Sequence, residues 1–504
     1  MRDLKQRLSS LVGIPRFRLK LFHGLTIMHD EECLVKDDNL NFDCLLLVFL
    51  QFEESHSEKD HAVIVACMQN DHQGLEVLLQ EPRNPNFVSN EVQATPLYTA
   101  ASRGNLECVS LILEAGASTD VGCRVSGETA LFRSAWNGHL RVVRCLVESG
   151  AIIFLGCQAD GTTPLFAAAW MGHLDIVKYL VEAGADKDLG NLGCTTTPLI
   201  VAAHHGHLEI IRFLVGVGAN TSLSKKSMGS PLHVSAKYGH LDIVRFLIES
   251  GANKDLSRDD DGATALFLAA EQGWIEIVTL LVRSGCNIEK GRTDIDSSPL
   301  FVASAEGQFE VVKFLVGSGA DKNSCNSTDG STPLFIAASL GHLEVVRVLV
   351  RSGCSINQGR TSDGATPLFG AAWNGKVMVA QFLLDSGVDV EQATTDNGET
   401  ALLAAAQNDY LEIVKLLVAS GARKDRRTTD TGMTPLFVSA NEGHFEVVQY
   451  LIEAGVKIDG SATHNGETPL DAAARNGHKS VFRFLKRRKE NFQFVANKKA
   501  RQDG

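Results

Sequence analysis

Histidine recurs at one position of a repeating pattern, and imidazole can ligate a metal ion or act as a general base. Each of these histidines follows a glycine, at intervals of 33, 34 or 102 residues: His139, His173, His207, His240, His342, His444 and His478. A metal ion needs its donors about 2 Å away, whereas stacked helical repeats hold equivalent side chains roughly 10 Å apart. We therefore expect these histidines to bond backbone groups and not a metal.

Other residues capable of chemistry give no stronger signal. His204, His205 and His207 are close together, but no cysteine or carboxylate cluster accompanies them, so we assign no metal site there. The eleven cysteines are scattered and none forms a CxxC pair. A nucleophile elbow, a phosphate-binding glycine loop and an HExxH motif are all absent from the sequence. We expect no enzymatic activity, no cofactor and no metal.

The element that positions all of these residues is a repeat. A tripeptide of Thr or Ser, Pro or Ala, and Leu begins at intervals of 34 residues, once 33, at Thr95, Thr129, Thr163, Thr197, Ser230, Thr264, Ser298, Thr332, Thr366, Thr400, Thr434 and Thr468. A period of this length predicts a stacked array. An array also explains how 504 residues fold without one oversized core.

One unit, Thr332–Cys354, predicts its own local structure. Thr332 can cap a helix, and Pro333 suits the first helical position because its missing N–H is not needed there. Gly341 ends this helix, and an apolar stripe then predicts a second one. The pair Asp363-Gly364 predicts a tight turn into the next unit.

These blocks, TPLFxAA, GHLE/DVV and SGA or AGA, resemble the ankyrin repeat. The resemblance implies an all-α ankyrin-repeat solenoid over residues 61–489, with thirteen repeats of which the first is degenerate. The sequence departs from the family after the tripeptide, where only His233 keeps the usual histidine and phenylalanine is the commonest replacement. We expect phenylalanine to leave the fold intact. Ankyrin arrays bind proteins, so the resemblance implies protein partners without identifying one.

Residues 1–52 resemble part of the ubiquitin-like family. The stretch LKQRLSSLVGIPRFRLKLFHG predicts a helix, a turn and a strand, and Cys44–Phe52 predicts a further strand. The family's first β-hairpin is missing and no Gly-Gly follows Phe52, so we expect a small partial α+β segment that is not conjugated to other proteins. Truncation at the chain start and a leader that caps the array both stay open. Residues 53–60 are polar and predict a linker.

Composition and the C-terminus set the remaining expectations. The net charge of −12 argues against general nucleic-acid binding. The strongest apolar run, residues 44–50, is too short to span a membrane. Residues 490–504 predict a basic tail, and the basic clusters at 486–489 and 498–501 resemble a bipartite nuclear-import signal. We expect a cytoplasmic monomer, with nuclear entry through this tail as an alternative to a solvated tail.

The two residues before each glycine-histidine pair vary between repeats, whereas the rest of the repeat pattern is kept. In ankyrin arrays these positions lie on the concave face. Large and aromatic side chains are frequent interface anchors, so we predict protein-binding residues at Trp136, Trp170, Met171, His204, His205, Tyr238 and Trp373. The alternative is that the rings only pack over neighbouring helices. Two charged hairpin tips, Lys225-Lys226 and residues 259–261, could add selectivity.

The sequence thus predicts a non-enzymatic scaffold or adaptor that binds partner proteins on the concave face of the solenoid. An alternative is a substrate-targeting component of the ubiquitin-proteasome pathway that docks through the ubiquitin-like segment. A third possibility is an enzyme whose catalytic domain lies outside this chain. The identity of the partner does not follow from these residues.

Overall fold

The computed structural model describes residues 19–23, 26–28, 45–49, 57–81, 84–191, 196–224 and 228–500. From Ser57 onward these residues form thirteen pairs of antiparallel helices joined by hairpin-like loops. They divide into two compact units. The first unit holds the described residues up to Ser235 together with Asp242–Ala252, and the second holds Ala236–Leu241 and the described residues from Asn253 onward.

In every pair except the first, the first helix begins after the repeated Thr or Ser, and a second helix follows the helix-ending turn. The first helices are Ser57–Gln69, Pro96–Arg103, Ala130–Trp136, Pro164–Met171, Pro198–His205, Pro231–Lys237, Ala265–Gln272, Pro299–Ala305, Pro333–Leu340, Pro367–Trp373, Ala401–Gln407, Pro435–Glu442 and Pro469–Arg475. The second helices are His72–Leu79, Leu106–Glu114, Leu140–Glu148, Leu174–Glu182, Leu208–Gly216, Leu241–Glu249, Ile275–Arg283, Phe309–Gly317, Leu343–Arg351, Val377–Asp385, Leu411–Ala419, Phe445–Glu453 and Lys479–Ala500.

The predicted caps are present at the first helices. The Thr163 hydroxyl accepts a hydrogen bond from the Phe166 N–H at 3.1 Å, which satisfies one of the free donors at the helix start. At ten other repeats the capping side chain likewise accepts a hydrogen bond from the N–H three residues later: Thr95, Thr129, Thr197, Thr264, Ser298, Thr332, Thr366, Thr400, Thr434 and Thr468. At Ser230 the ring of His233 takes part instead, with Nδ1 2.8 Å from the serine Oγ.

The core lies between the two helices of a pair and between neighbouring pairs. Leu165 and Ala168 of one first helix and Val177 and Leu180 of its second helix are buried. Phe166, at the position of the family's histidine, is buried with them. Phenylalanine therefore adds apolar surface to this core, which stabilises the stack of repeats. The prediction that phenylalanine leaves the fold intact is confirmed.

A glycine in the left-handed conformation follows most of the first helices. Gly172 has φ of +84°, in the left-handed region that ends helices. A Cβ atom on Gly172 would lie 2.7 Å from Cε1 of His207 in the next repeat. Glycine is required here for both reasons, because the backbone is left-handed and the neighbouring histidine occupies the space of a side chain.

The N-terminal strands form a separate antiparallel sheet. The strands β1 (Leu19–His23), β2 (Thr26–Met28) and β3 (Leu45–Phe49) are ordered β2-β1-β3. Both β1 and β3 lie where the sequence predicts strands, whereas β2 was not predicted. The expected N-terminal helix lies outside the described residues. Three short strands do not establish the ubiquitin-like resemblance, which stays a prediction.

Two boundaries differ from those suggested by the sequence. The helix Ser57–Gln69 begins inside the expected linker 53–60, where Glu58 and Asp60 suit the positive end of a helix dipole. The last helix runs from Lys479 to Ala500 and thus through most of the expected tail 490–504. No glycine or proline interrupts this stretch. Among the described residues, no helix combines the length and apolar character needed to cross a membrane.

Candidate protein-binding surfaces

Aromatic side chains of three successive first helices meet in the first unit. The ring centroids of Trp136 and Trp170 are 6.2 Å apart, and the rings are stacked. Trp170 continues the contact to His204 at 6.4 Å and to His205 at 4.8 Å. We call Trp136, Trp170, His204 and His205 the aromatic cluster. Each ring contacts at least one other ring of the cluster, and Trp136, Trp170 and His204 occupy equivalent repeat positions.

The aromatic cluster is only partly covered by the protein. Trp170 keeps 37% of its surface exposed, and His205 is exposed, whereas Trp136 and His204 are half-buried. Met171, next to Trp170 at the helix end, is also exposed. Exposure of adjacent large apolar side chains to water is unfavourable, so such a patch in a folded protein calls for an explanation.

Each tryptophan also packs on the phenylalanine four residues earlier in its own helix. The ring centroids are 6.0 Å apart for Phe132 and Trp136 and 5.8 Å apart for Phe166 and Trp170. Trp136 lies against the buried group of Phe132, Cys157 and Ala167. Packing therefore accounts for one side of each indole but leaves the exposed side unexplained. A ring held in this way loses little freedom when it binds a partner.

The glycine-histidine pairs hold the ends of these first helices. Nε2 of His207 lies 3.0 Å from the carbonyl oxygen of Trp170, and Nε2 of His173 lies 3.0 Å from that of Trp136. Equivalent bonds join His139 to Ser102, His342 to Ala305, His444 to Gln407 and His478 to Asn441. The prediction that these histidines bond backbone groups is confirmed at these positions. They also fix the backbone that carries the aromatic cluster.

Two predicted binding residues belong to the second unit. Tyr238 is exposed just after the helix Pro231–Lys237. Trp373 ends the helix Pro367–Trp373, keeps 40% of its surface exposed and stacks on Phe369 with centroids 6.0 Å apart. The predicted aromatic stripe is observed from Trp136 to His205, and its continuation to Tyr238 stays a prediction.

Sequence reasoning assigned no role to Trp274, which is an exposed aromatic residue. It stands where other repeats have the histidine after glycine, and its Nε1 donates to the Lys237 carbonyl oxygen at 3.0 Å. The indole therefore replaces the histidine bond and still leaves an exposed face. Gln308 is a second replacement, and its Nε2 donates to the Glu271 carbonyl oxygen at 3.1 Å. An alignment of the repeats position by position would have shown that Trp274 and Gln308 replace the histidine.

The acidic hairpin tip at residues 259–261 is partly structural. Arg258 Nε donates to Asp261 at 3.0 Å, and so does the backbone N–H of Ala263. Burial alone would raise the pKa of Asp261, but these hydrogen bonds and the charges of Arg258 and Arg292 outweigh it and lower the pKa to about 2. The other charged tip, Lys225-Lys226, lies outside the described residues. Charge selectivity at these tips stays a prediction.

The described side chains offer little for metal or thiol chemistry. Within the described ranges, no group of three or more histidine, cysteine or acidic side chains could hold a metal ion. Burial raises the pKa of Cys108 and of Cys354 to about 11. These thiols are therefore protonated at neutral pH and are poor nucleophiles. The absence of enzymatic activity remains a prediction.

The repeat region matches the family model for ankyrin repeats, which describes three copies. The matched segments overlap and extend over residues 39–123, 63–155, 118–191, 187–258, 253–326, 300–394, 360–428 and 402–496. Together they cover well over half of the chain, and the chain belongs to the ankyrin repeat family. Ankyrin repeats generally mediate protein-protein interaction. No curated protein matches this chain.

Proposed function

We propose that this chain is a non-enzymatic scaffold or adaptor that binds partner proteins through the ends of its first helices, the concave face in this family. The observation that carries the proposal is the aromatic cluster. Trp170 stacks between Trp136 and His204 and keeps 37% of its surface exposed. Tryptophan held in a defined position is the residue most often found at the energetic centre of protein interfaces.

The surroundings of the aromatic cluster support this assignment. Hydrogen bonds from His173 and His207 fix the two helix ends that carry the tryptophans. Met171 adds an adaptable apolar side chain beside Trp170. A partner would therefore meet a rigid aromatic surface extended by a flexible one, without first ordering a loop.

Quantitative affinity capture tests the proposal. The intact chain, a Trp136→Ala/Trp170→Ala variant and a Phe154→Ala variant are each used to capture proteins from the same extract. Phe154 is a matched control because it is 67% exposed but lies in a hairpin loop outside the aromatic cluster. We expect the double variant to lose the partners that the intact chain and the control retain. Equal recovery by all three would contradict the proposal, provided that circular dichroism shows the same helix content.

The alternative role in ubiquitin-proteasome targeting depends on residues 1–52, of which only three strands are described. No contact in the described residues favours it over a general scaffold. Cytoplasmic location, nuclear entry through the basic C-terminal residues and the monomeric state complete the proposal. These three parts rest on the sequence alone.

A further inference from the structure

A cleft of about 550 Å³ opens beside Trp373 in the second unit. Its walls are the first helices Pro333–Leu340 and Pro367–Trp373 and the three hairpin loops that flank them. Phe335 and the exposed indole of Trp373 supply its aromatic surface. The cleft is separate in sequence from the aromatic cluster and lies wholly within one compact unit.

Two small residues leave this space open. Gly370 occupies the position of Ile336 in the preceding repeat and of Ala404 in the following one. Ser339 occupies the position that Trp373 holds one repeat later. A Cβ atom on Gly370 would lie 2.2 Å from the Ser339 Oγ, so even alanine would force the serine to move. These two small residues, one in each of two neighbouring repeats, therefore leave open a space that larger side chains would fill.

The Ser339 hydroxyl is a buried polar group without a protein partner. The residue is only 9% exposed, and among the described residues nothing forms a hydrogen bond with its Oγ. Ser339 lines the cleft. Buried hydroxyl groups in folded proteins are nearly always hydrogen-bonded. An unsatisfied hydroxyl in the wall of an open cleft can pair with a polar group of a bound molecule.

The cleft also carries an excess of negative charge. One cation, Arg360, lines it together with four carboxylates: Asp329, Asp363, Asp396 and Glu399. Arg360 already pairs with Asp363 and, at 3.2 Å, with Asp329. Its guanidinium also lies 4.8 Å from the ring centroid of Phe335. Arg360 therefore pairs with two of the four carboxylates, and its single charge offsets only one of them.

The other two carboxylates have no cationic partner among the described residues. Across the described residues, neither Asp396 nor Glu399 forms an ion pair, although Asp396 accepts the Asn397 N–H at 2.7 Å. Glu399 is half-buried, and burial raises the pKa of its carboxyl, as do the negative charges of Asp396, Asp430 and Asp363. A bound cation would relieve this repulsion.

We propose that this cleft binds an arginine side chain of a partner protein. The guanidinium would stack on the indole of Trp373 and donate to Asp396 and Glu399. Arginine fits better than lysine because its planar guanidinium stacks on aromatic rings and presents several N–H donors at once. This inference rests on the proposed function, since it assigns a chemistry to one contact of the scaffold.

Fluorine NMR of the full chain labelled with 5-fluorotryptophan tests the inference directly. The chain has four tryptophans, so few signals are expected, and a Trp373→Phe variant assigns the one of interest. The probe is arginine amide, and citrulline amide is its neutral isostere. We expect arginine amide to shift the Trp373 resonance with saturation in the millimolar range, because one side chain makes few contacts. No shift, or the same shift with citrulline amide, would overturn the inference.

Paired variants test the assigned carboxylates. Asp396→Asn/Glu399→Gln should weaken arginine amide binding at least about fivefold, because both charges facing the ligand are removed. Glu412→Gln/Glu446→Gln makes the same change in net charge on exposed second-helix residues outside the cleft, and should leave binding unchanged. Equal weakening by both pairs would mean that general charge, and not the cleft, attracts the probe. Unchanged resonances of the other tryptophans show that the fold is intact.

The two proposals fail in different ways. If arginine amide does not bind while the Trp136→Ala/Trp170→Ala variant loses its partners, only the arginine cleft is refuted. If that variant keeps its partners while arginine amide binds beside Trp373, the binding role of the aromatic cluster is refuted and the cleft remains.

Discussion

A single histidine joins one repeat to the next and also positions a predicted binding residue. His207 bonds the carbonyl oxygen of Trp170, the residue that stands at the centre of the aromatic cluster. Trp274 and Gln308 make the same bond with different side chains. The requirement at this position is therefore an N–H donor of the right reach and not the chemistry of imidazole.

Substitution of His207 tests this role. His207→Ala should lower the free energy of unfolding by about 1 kcal/mol, because the Trp170 carbonyl loses its donor. His207→Gln should recover most of this loss, since Gln308 shows that glutamine can reach the equivalent carbonyl. Urea unfolding followed by circular dichroism measures both. If the two variants are equally destabilised, the side-chain donor does not stabilise the repeat stack.

At the scale of the structural element, we expect the hairpin at residues 258–263 to depend on a partly buried carboxylate. Asp261 receives bonds from Arg258 and from the backbone of Ala263, and these hold its pKa at about 2 despite burial. A carboxyl whose pKa is lower in the folded chain than in the unfolded chain stabilises the fold above the unfolded pKa. This stabilisation is lost as the pH falls through the folded value.

Asp261→Asn should therefore destabilise the protein by on the order of 2 kcal/mol at pH 7. The difference in free energy of unfolding between Asp261→Asn and the unmodified chain should shrink as the pH falls from about 4 to about 2, where Asp261 itself becomes protonated. Urea midpoints at about pH 7, 4, 3 and 2 measure the trend. A difference that stays constant or grows on acidification would contradict the assigned role of this carboxylate.

The sequence predicts elements well where the signal is local. The capping threonines and helix-ending glycines mark the first helices closely, because caps and left-handed turns depend on one or two residues. The continuation of the last helix to Ala500 was not predicted, although no glycine or proline lies between residues 489 and 500. The space beside Trp373 was also missed, because it depends on Gly370 and Ser339 in two different helices.

At the scale of the whole molecule, the period of the sequence specifies the architecture and the family match confirms it. In repeat arrays the interactions are mainly within a repeat and between neighbouring repeats, so local patterns are sufficient to predict the architecture. Function is less accessible, because it depends on residues that vary between repeats. The sequence identified Trp136, Trp170 and Trp373 as candidates, but only side-chain positions show which indole faces are exposed.

The central claim is that the exposed face of Trp170 contributes to partner binding. Its most direct test is the dissociation constant of one captured partner, measured by isothermal titration calorimetry with the intact chain, Trp170→Ala and Phe154→Ala. Loss of an anchoring tryptophan costs about 2 kcal/mol, so we expect Trp170→Ala to bind roughly 30-fold more weakly, with Phe154→Ala unchanged. An equal dissociation constant for the intact chain and Trp170→Ala, with the fold preserved, would contradict the claim.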